Sequence, residues 1–153
     1  LDIAKKEAKA QNLDSQIEFY RQSISDKLPV NDASIDIALD VTSSNSLSQI
    51  ELQSYIKELN RVVKSGGYLF VRGLAKEGDE HAKYLLQNHK GPEADTYIMP
   101  DTGIMERVWT KADFQKTYGE IFTIEFYEKV HHYTTVAGRK YKRNYFVAYL
   151  RKK

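Results

Sequence analysis

The run Asp40-Val41-Thr42-Ser43-Ser44-Asn45 packs a carboxylate, three hydroxyls and an amide into six positions. It directly follows the apolar stretch Ile35 to Leu39. A polar run at the end of a buried strand is where open α/β sheets bind ligands. The bland alternative is a solvated loop whose serines and asparagine serve turn chemistry. A second group, Asp95-Thr96-Tyr97-Ile98-Met99-Pro100-Asp101 with Arg107 and Trp109, combines aromatic rings with a guanidinium. That chemistry suits an anionic or planar small molecule, although Met99, Met105 and Trp109 serve equally as core anchors of a long loop. A third group is basic: Arg139, Lys140, Lys142, Arg143, Arg151, Lys152 and Lys153, interleaved with Tyr141, Tyr145 and Tyr149. Such interleaving is one pattern of single-strand nucleic-acid binding. Glu120, Glu125 and Glu128 dilute its field, so a strand pair with outward charges is the expectation and nucleic acid an unlikely partner. His131 and His132 point to opposite faces of a strand and cannot share a metal. His81 and His89 lack carboxylates at ligand spacing, so no metal site is expected.

The elements that position these residues alternate. Residues 1–12 read as a helix and Ile17 to Arg21 as a short strand. Leu28 to Asp32 is a loop broken by Pro29. Ile35 to Val41 reads as a strand buried on both faces, as in a parallel sheet. Ser48 and Glu51 form a capping-box pair. Leu52, Tyr55, Ile56, Leu59, Val62 and Val63 then share one helical face. Lys64 is expected in the last turn and Gly66-Gly67 as its stop. Tyr68 to Val71 is the next strand, residues 79–88 a helix, and residues 90–109 an irregular loop. Thr110 and Asp113 cap a short helix ending at Gly119. Ile121 to Tyr133 and Lys140 to Lys152 form an antiparallel hairpin connected through Ala137-Gly138. Strands alternating with helices predict a mostly parallel α/β sheet with one antiparallel hairpin at its end. Three segments then lie at the strands' C-terminal ends: Gln22 to Asp26, Asp40 to Ser46, and Arg72 to Lys76.

The 153 residues are one domain's worth, with 41% hydrophobic and 29% charged residues, the balance of a globular protein. A formal net charge of +2 does not by itself argue for a nucleic-acid partner. No cysteine is present, which excludes disulfides and thiolate metal sites and is compatible with a reducing cytoplasm. No apolar run approaches the roughly 20 residues of a membrane span. The chain opens on Leu1 inside a helical pattern, which reads as a cut.

The segment Leu28-Pro29-Val30-Asn31-Asp32-Ala33-Ser34-Ile35-Asp36 and the block Arg61-Val62-Val63-Lys64-Ser65-Gly66-Gly67 resemble two motifs of class I S-adenosylmethionine (SAM) dependent methyltransferases. The first opens that family's fourth strand and the second ends the helix before its fifth. Ser65 replaces the family's usual proline. The resemblance implies a Rossmann-like sheet of order 3-2-1-4-5-7-6. It makes Ile17 to Arg21 the third strand and the terminal hairpin strands six and seven. Strands one and two would be missing, with the G-x-G-x-G turn and the acidic ribose ligand. No G-x-G occurs in this sequence. The chain thus reads as a single partial methyltransferase domain, incomplete at its N-terminal half.

The resemblance also implies roles. Ser23 and Ile24 would meet the adenine edge of SAM. Asp40, Val41 and Thr42 would lie beside its methionine end, with Asp40 binding its amino group or orienting or deprotonating an acceptor. Asn45, Arg72, Tyr97 and Arg107 would line the acceptor side. The expected reaction is methyl transfer from SAM to a small-molecule acceptor by the parent protein in the cytoplasm, this chain alone being inactive. One alternative is a non-catalytic module that binds a partner, or forms a homo-oligomer, through the exposed sheet edge. Another is a nucleotide-dependent reductase of Rossmann-like fold, against which the terminal hairpin argues.

Overall fold

The computed structural model describes residues 1–136 and 138–153. Its elements are α1 (Asp2–Ala10), β1 (Ile35–Val41), α2 (Gln49–Val62), β2 (Val63–Leu74), α3 (Glu80–Asn88), β3 (Thr96–Ile98), β4 (Met105–Arg107), α4 (Lys111–Tyr118), β5 (Phe122–Val136) and β6 (Arg139–Lys152). Strands β1, β2, β6 and β5 form one sheet in that order, and β3 and β4 form a separate small hairpin. The β1–β2 ladder is parallel, while β2–β6 and β6–β5 are antiparallel. The expected 4-5-7-6 portion is therefore present. Antiparallel pairing predominates among these four strands, because only one crossover helix lies between paired neighbours.

The best-specified helix is α2. Ser48 accepts from the Glu51 amide, and the Glu51 carboxylate accepts from the Ser48 amide, completing the capping box. The apolar stripe from Leu52 to Val62 is buried as its spacing predicts. The helix ends at Val62, so Arg61 and not Lys64 is the cation of its last turn. Lys64 instead pairs with Asp36 at 2.6 Å. The glycine pair does not stop the helix. It lies in an irregular part of β2, where the register jumps between Ile35↔Val63 and Ile37↔Tyr68. Gly66 takes a φ of 77°, and a Cβ on Gly67 would sit 2.9 Å from the Lys64 carbonyl and 3.0 Å from that of Asp36. Arg61 also fastens the two motif blocks together. Its guanidinium donates to the carbonyls of Leu28 and Val30 and to Asp32, while Glu58 beside it accepts from the Leu28 amide.

The main core lies on one face of the sheet. Leu69, Val71, Phe146, Ala148 and Leu150 meet Leu52, Ile56 and Leu59 of α2 and Phe114 and Tyr118 of α4 in one cluster. The opposite face is open. Ile37, Leu39 and Val41 are 63%, 71% and 50% exposed, and Tyr68, Phe126 and Tyr149 continue the surface. Burial of β1 on both faces is thus corrected: nothing in the described structure packs on its outer face, and β1 is an edge strand.

Two other expectations change. Ile17 to Arg21 forms no strand, since no neighbour offers it a ladder and Ile17 and Tyr20 stay 40% and 48% exposed. Residues 90–109 are not an irregular loop but carry the β3–β4 hairpin, held by the Thr96↔Arg107 and Ile98↔Met105 pairs. The expected hairpin connection at Ala137-Gly138 is named, but Ala137 lies outside the described residues.

Candidate functional site

Asp40, the penultimate residue of β1, is buried, 1% exposed. Its Oδ1 accepts from the amides of Ser43 and Ser44 at 3.1 and 3.2 Å, and its Oδ2 accepts from the Tyr55 hydroxyl at 3.3 Å. One oxygen is therefore committed to the loop that follows and the other to α2. That loop is a 3-10 turn over Ser43–Ser46, entered through Thr42 at a φ of 63°. A positive φ is strained for a β-branched residue. The Thr42 amide donates to the Arg72 carbonyl at 2.8 Å, which helps hold it there. Asn45 is 2% exposed; its Oδ1 accepts from the Trp109 indole at 3.2 Å and its Nδ2 has no partner. The buried hydroxyls of Tyr55 and Tyr118 complete this polar cluster, and burial pushes both above their ordinary range.

Arg72 pairs with Val41 across the β1–β2 ladder. Asp40, Val41, Thr42, Asn45 and Arg72 are thus assembled at the C-terminal end of the parallel pair, where the topology predicts a ligand. Within this group Asp40 has the geometry of a loop anchor, and Val41, Thr42 and Arg72 are the members at least partly open to solvent.

The remaining candidates stand apart. Ser23 closes a local turn: its Oγ accepts from the Ser25 amide at 3.2 Å, and its carbonyl from the Asp26 amide. Ile24 packs against the main core. Tyr97 is fully buried and donates to Glu106 at 2.7 Å, while accepting from Arg143 at 3.3 Å. Arg107 is 8% exposed and ion-paired with Glu93. It lines a cavity of about 590 Å³ between α2 and α4, with Leu52, Ile56, Lys57, Trp109 and Lys116. The structure therefore does not gather Tyr97 and Arg107 with Arg72. No carboxylate-histidine group able to hold a metal occurs among the described residues.

A second buried network, which no sequence motif marks, surrounds Asp79. The Asp79 side chain caps α3 at the Ala82 amide, accepts from the Asn144 amide, and lies 3.4 Å from the Arg143 Nε. Arg143 Nη1 is 2.6 Å from His81 Nδ1, and the His81 ring lies 4.7 Å from that of Tyr141. His81 must accept from the guanidinium and is held neutral. Burial, then Arg143, pulls its pKa below the ordinary value, against smaller opposing effects of Asp79 and Glu106. A depressed histidine pKa means that the unfolded chain takes the proton first, so stability falls as pH drops below about 6.5. Urea midpoints at about pH 8 and about pH 5.5 measure this. His81→Gln, which still accepts from Arg143, is expected to narrow the difference between the two midpoints; an unchanged difference would remove His81 as its source.

Comparison with known proteins agrees with this fold. Residues 1–71 match the family model described as a methyltransferase domain. No curated protein matches the chain. Among solved structures, a SAM-dependent methyltransferase from Methanosarcina mazei is 21% identical with a TM-score of 0.81, covering 99% of this chain and 76% of its own. The 1,6-didemethyltoxoflavin-N1-methyltransferase of Burkholderia thailandensis, solved with bound 1,6-didemethyltoxoflavin and S-adenosylhomocysteine, is 15% identical with a TM-score of 0.66 over 97% of this chain and 56% of its own. The [4+2]-cyclase SpnF is 20% identical with a TM-score of 0.69 over 99% of this chain and 62% of its own. The chain thus spans less than two thirds of the last two. Its fold is that of the SAM-dependent methyltransferase from Methanosarcina mazei, and the family match over residues 1–71 covers both motif blocks.

Proposed function

We propose that this chain belongs to a protein that transfers a methyl group from SAM to a small-molecule acceptor. The observation that carries the reading is the assembly of Thr42, Asn45 and Arg72 at the end of the β1–β2 pair, in a chain whose first half matches the methyltransferase-domain family. Methyl transfer is an in-line displacement, so positioning of donor and acceptor supplies much of the rate and no strong base is required. That fits Asp40 as the anchor of the loop beside the methionine end of SAM. Ser23 and Ile24 are assigned to the adenine edge and Val41 and Thr42 to the methionine end. Arg72 faces the acceptor; Asn45, buried against Trp109, acts only indirectly, as do Tyr97 and Arg107, which brace the β3–β4 hairpin. The fold alone does not decide the chemistry, as the cyclase relative illustrates.

The sequence contains no G-x-G turn for close backbone approach to the cofactor, so this chain by itself is expected to bind SAM weakly and to be inactive. Calorimetry with S-adenosylhomocysteine tests this. Micromolar binding by the 153-residue chain would contradict it.

The open sheet supports a second reading, a module that oligomerises through β1. Ile37 and Leu39 are 63% and 71% exposed on an edge strand, an arrangement prone to pairing with another chain. Sedimentation of the wild type is expected to show concentration-dependent association. Leu39→Lys, which places a charge on that surface, is expected to shift it to monomer. A wild-type monomer at all concentrations would eliminate this reading.

A further inference from the structure

The Arg72 guanidinium carbon lies 3.9 Å from the centroid of the Tyr145 ring. The His132 ring stacks on Tyr145 at 4.9 Å and 12°. In the β2–β6 register Arg72 stands opposite Val147, two positions to one side of Tyr145; His132 stands opposite Arg143, two positions to the other. The phenol ring is therefore held between the guanidinium and the imidazole. Tyr145 in turn packs against the cluster of Leu74, Leu85, Tyr97 and Val108, so the stack rests on a fixed wall.

Such stacking fixes the plane of a guanidinium but leaves its edge, with the N–H donors, unused. Among the described residues, the Arg72 side chain forms no salt bridge, in contrast to Arg61, Arg107 and Arg143. It makes no side-chain hydrogen bond either. Glu128 is the carboxylate on the same face, opposite Val147 and hence two strands from Arg72, about 10 Å away at ordinary strand spacing. Arg72 is half-buried, at the end of the parallel pair, and its carbonyl holds the strained Thr42. A planar fork that is pre-oriented, partly desolvated and unpaired is suited to gripping an oxyanion through two parallel hydrogen bonds.

We propose that Arg72 is the specificity-determining residue of the acceptor site, and that the acceptor carries an oxyanion, a carboxylate or a phosphate, which the stacked guanidinium holds. Tyr145 and His132 are its positioning residues. This rests on the methyl-transfer reading for the word acceptor, but the oxyanion site itself does not need SAM.

The test is an NMR titration of the isotopically labelled full chain, reading the arginine Nε–H signals. Benzoate and inorganic phosphate serve as separate probes. A saturable shift of the Arg72 signal is expected with one or both. A response to benzoate alone assigns a carboxylate acceptor, and to phosphate alone a phosphorylated one. Arg72→Lys keeps the charge and loses the fork, and is expected to weaken binding roughly tenfold. Tyr145→Leu keeps the arginine and frees its plane, and is expected to weaken binding several-fold. No shift with either probe overturns the proposal, and so does equal affinity in Arg72→Lys. S-adenosylhomocysteine added to the same sample reads the amides of residues 23–26 and 41–45 independently. Failure there removes the methyl-transfer reading and leaves the oxyanion site standing; failure of the oxyanion titration does the reverse.

Discussion

Replacing Phe146 with alanine will cost the fold about 3–5 kcal/mol, the range for truncating a fully buried phenylalanine. Phe146 is completely buried in β6. Its ring lies 4.7 Å from Phe114 of α4 and 5.1 Å from Tyr127 of β5, stacked at 13° on the latter. It thus joins the sheet to one of the two helices that cover it. On the other side Gly73 makes room: a Cβ there would lie 2.5 Å from the Phe146 ring. Gly73→Ala is accordingly expected to destabilise by about 1–3 kcal/mol through overpacking. Phe146→Leu should relieve part of that strain, so the double variant should be less destabilised than the two single costs added. Urea denaturation of the wild type, the three single variants and the double variant measures this. A Phe146→Ala cost below about 1 kcal/mol would contradict the packing described.

Asp40→Ala will cost about 2–4 kcal/mol, because a buried carboxylate with three hydrogen-bond donors leaves them unpaired when it is removed. The amides of Ser43 and Ser44 and the hydroxyl of Tyr55 all donate to this one carboxylate, and Thr42 keeps its φ of 63° only while the turn holds. Asp40→Asn is the discriminating variant. Its carbonyl oxygen still accepts from both amides, and its NH2 donates to Tyr55, so it is expected to cost less than about 1 kcal/mol and leave the Ser43 and Ser44 amide signals in place. Denaturation with an amide spectrum reads both. If Asp40→Asn unfolds the turn as fully as Asp40→Ala, the charge itself is what the turn needs, and the anchor described here is incomplete.

The helices were legible because their signals are local. The Ser48–Glu51 capping box, the stripe from Leu52 to Val62, and the Thr110 cap with its Asp113 amide are short-range chemistry, and each is found as read. The β5–β6 hairpin was legible because both strands carry long alternating runs. What failed depended on partners outside the segment. The Ile17 to Arg21 stretch has strand-like composition, but a strand exists only where a neighbour supplies a ladder. The apolar character of Ile35 to Val41 predicted burial on two faces, whereas only one face meets a packed layer. The β3–β4 hairpin was hidden by its length, three residues per strand, too short for alternation to show.

The site was legible in part. The end of β1 and the start of the following loop were found, because a polar run after an apolar strand is a one-dimensional signal. Whether Asp40 faces solvent or its own loop is not, since that depends on Tyr55 in α2. Tyr55 sits in a helical stripe where nothing marks its hydroxyl as more than packing. The Tyr145 ring beneath Arg72 was likewise invisible, because the two residues are brought together only by the β2–β6 register. Tyr97 and Arg107 looked exposed as loop residues; their burial follows from the hairpin that the sequence did not reveal.

We propose that the loops at the ends of this sheet are the cofactor and acceptor side of a methyltransferase. The most direct measurement is an amide-resolved NMR titration with S-adenosylhomocysteine. Weak binding is expected, with shifts confined to residues 22–26, 40–46 and 72–76. Shifts centred instead on the cavity between α2 and α4, or no localised shifts at saturating ligand, would contradict it.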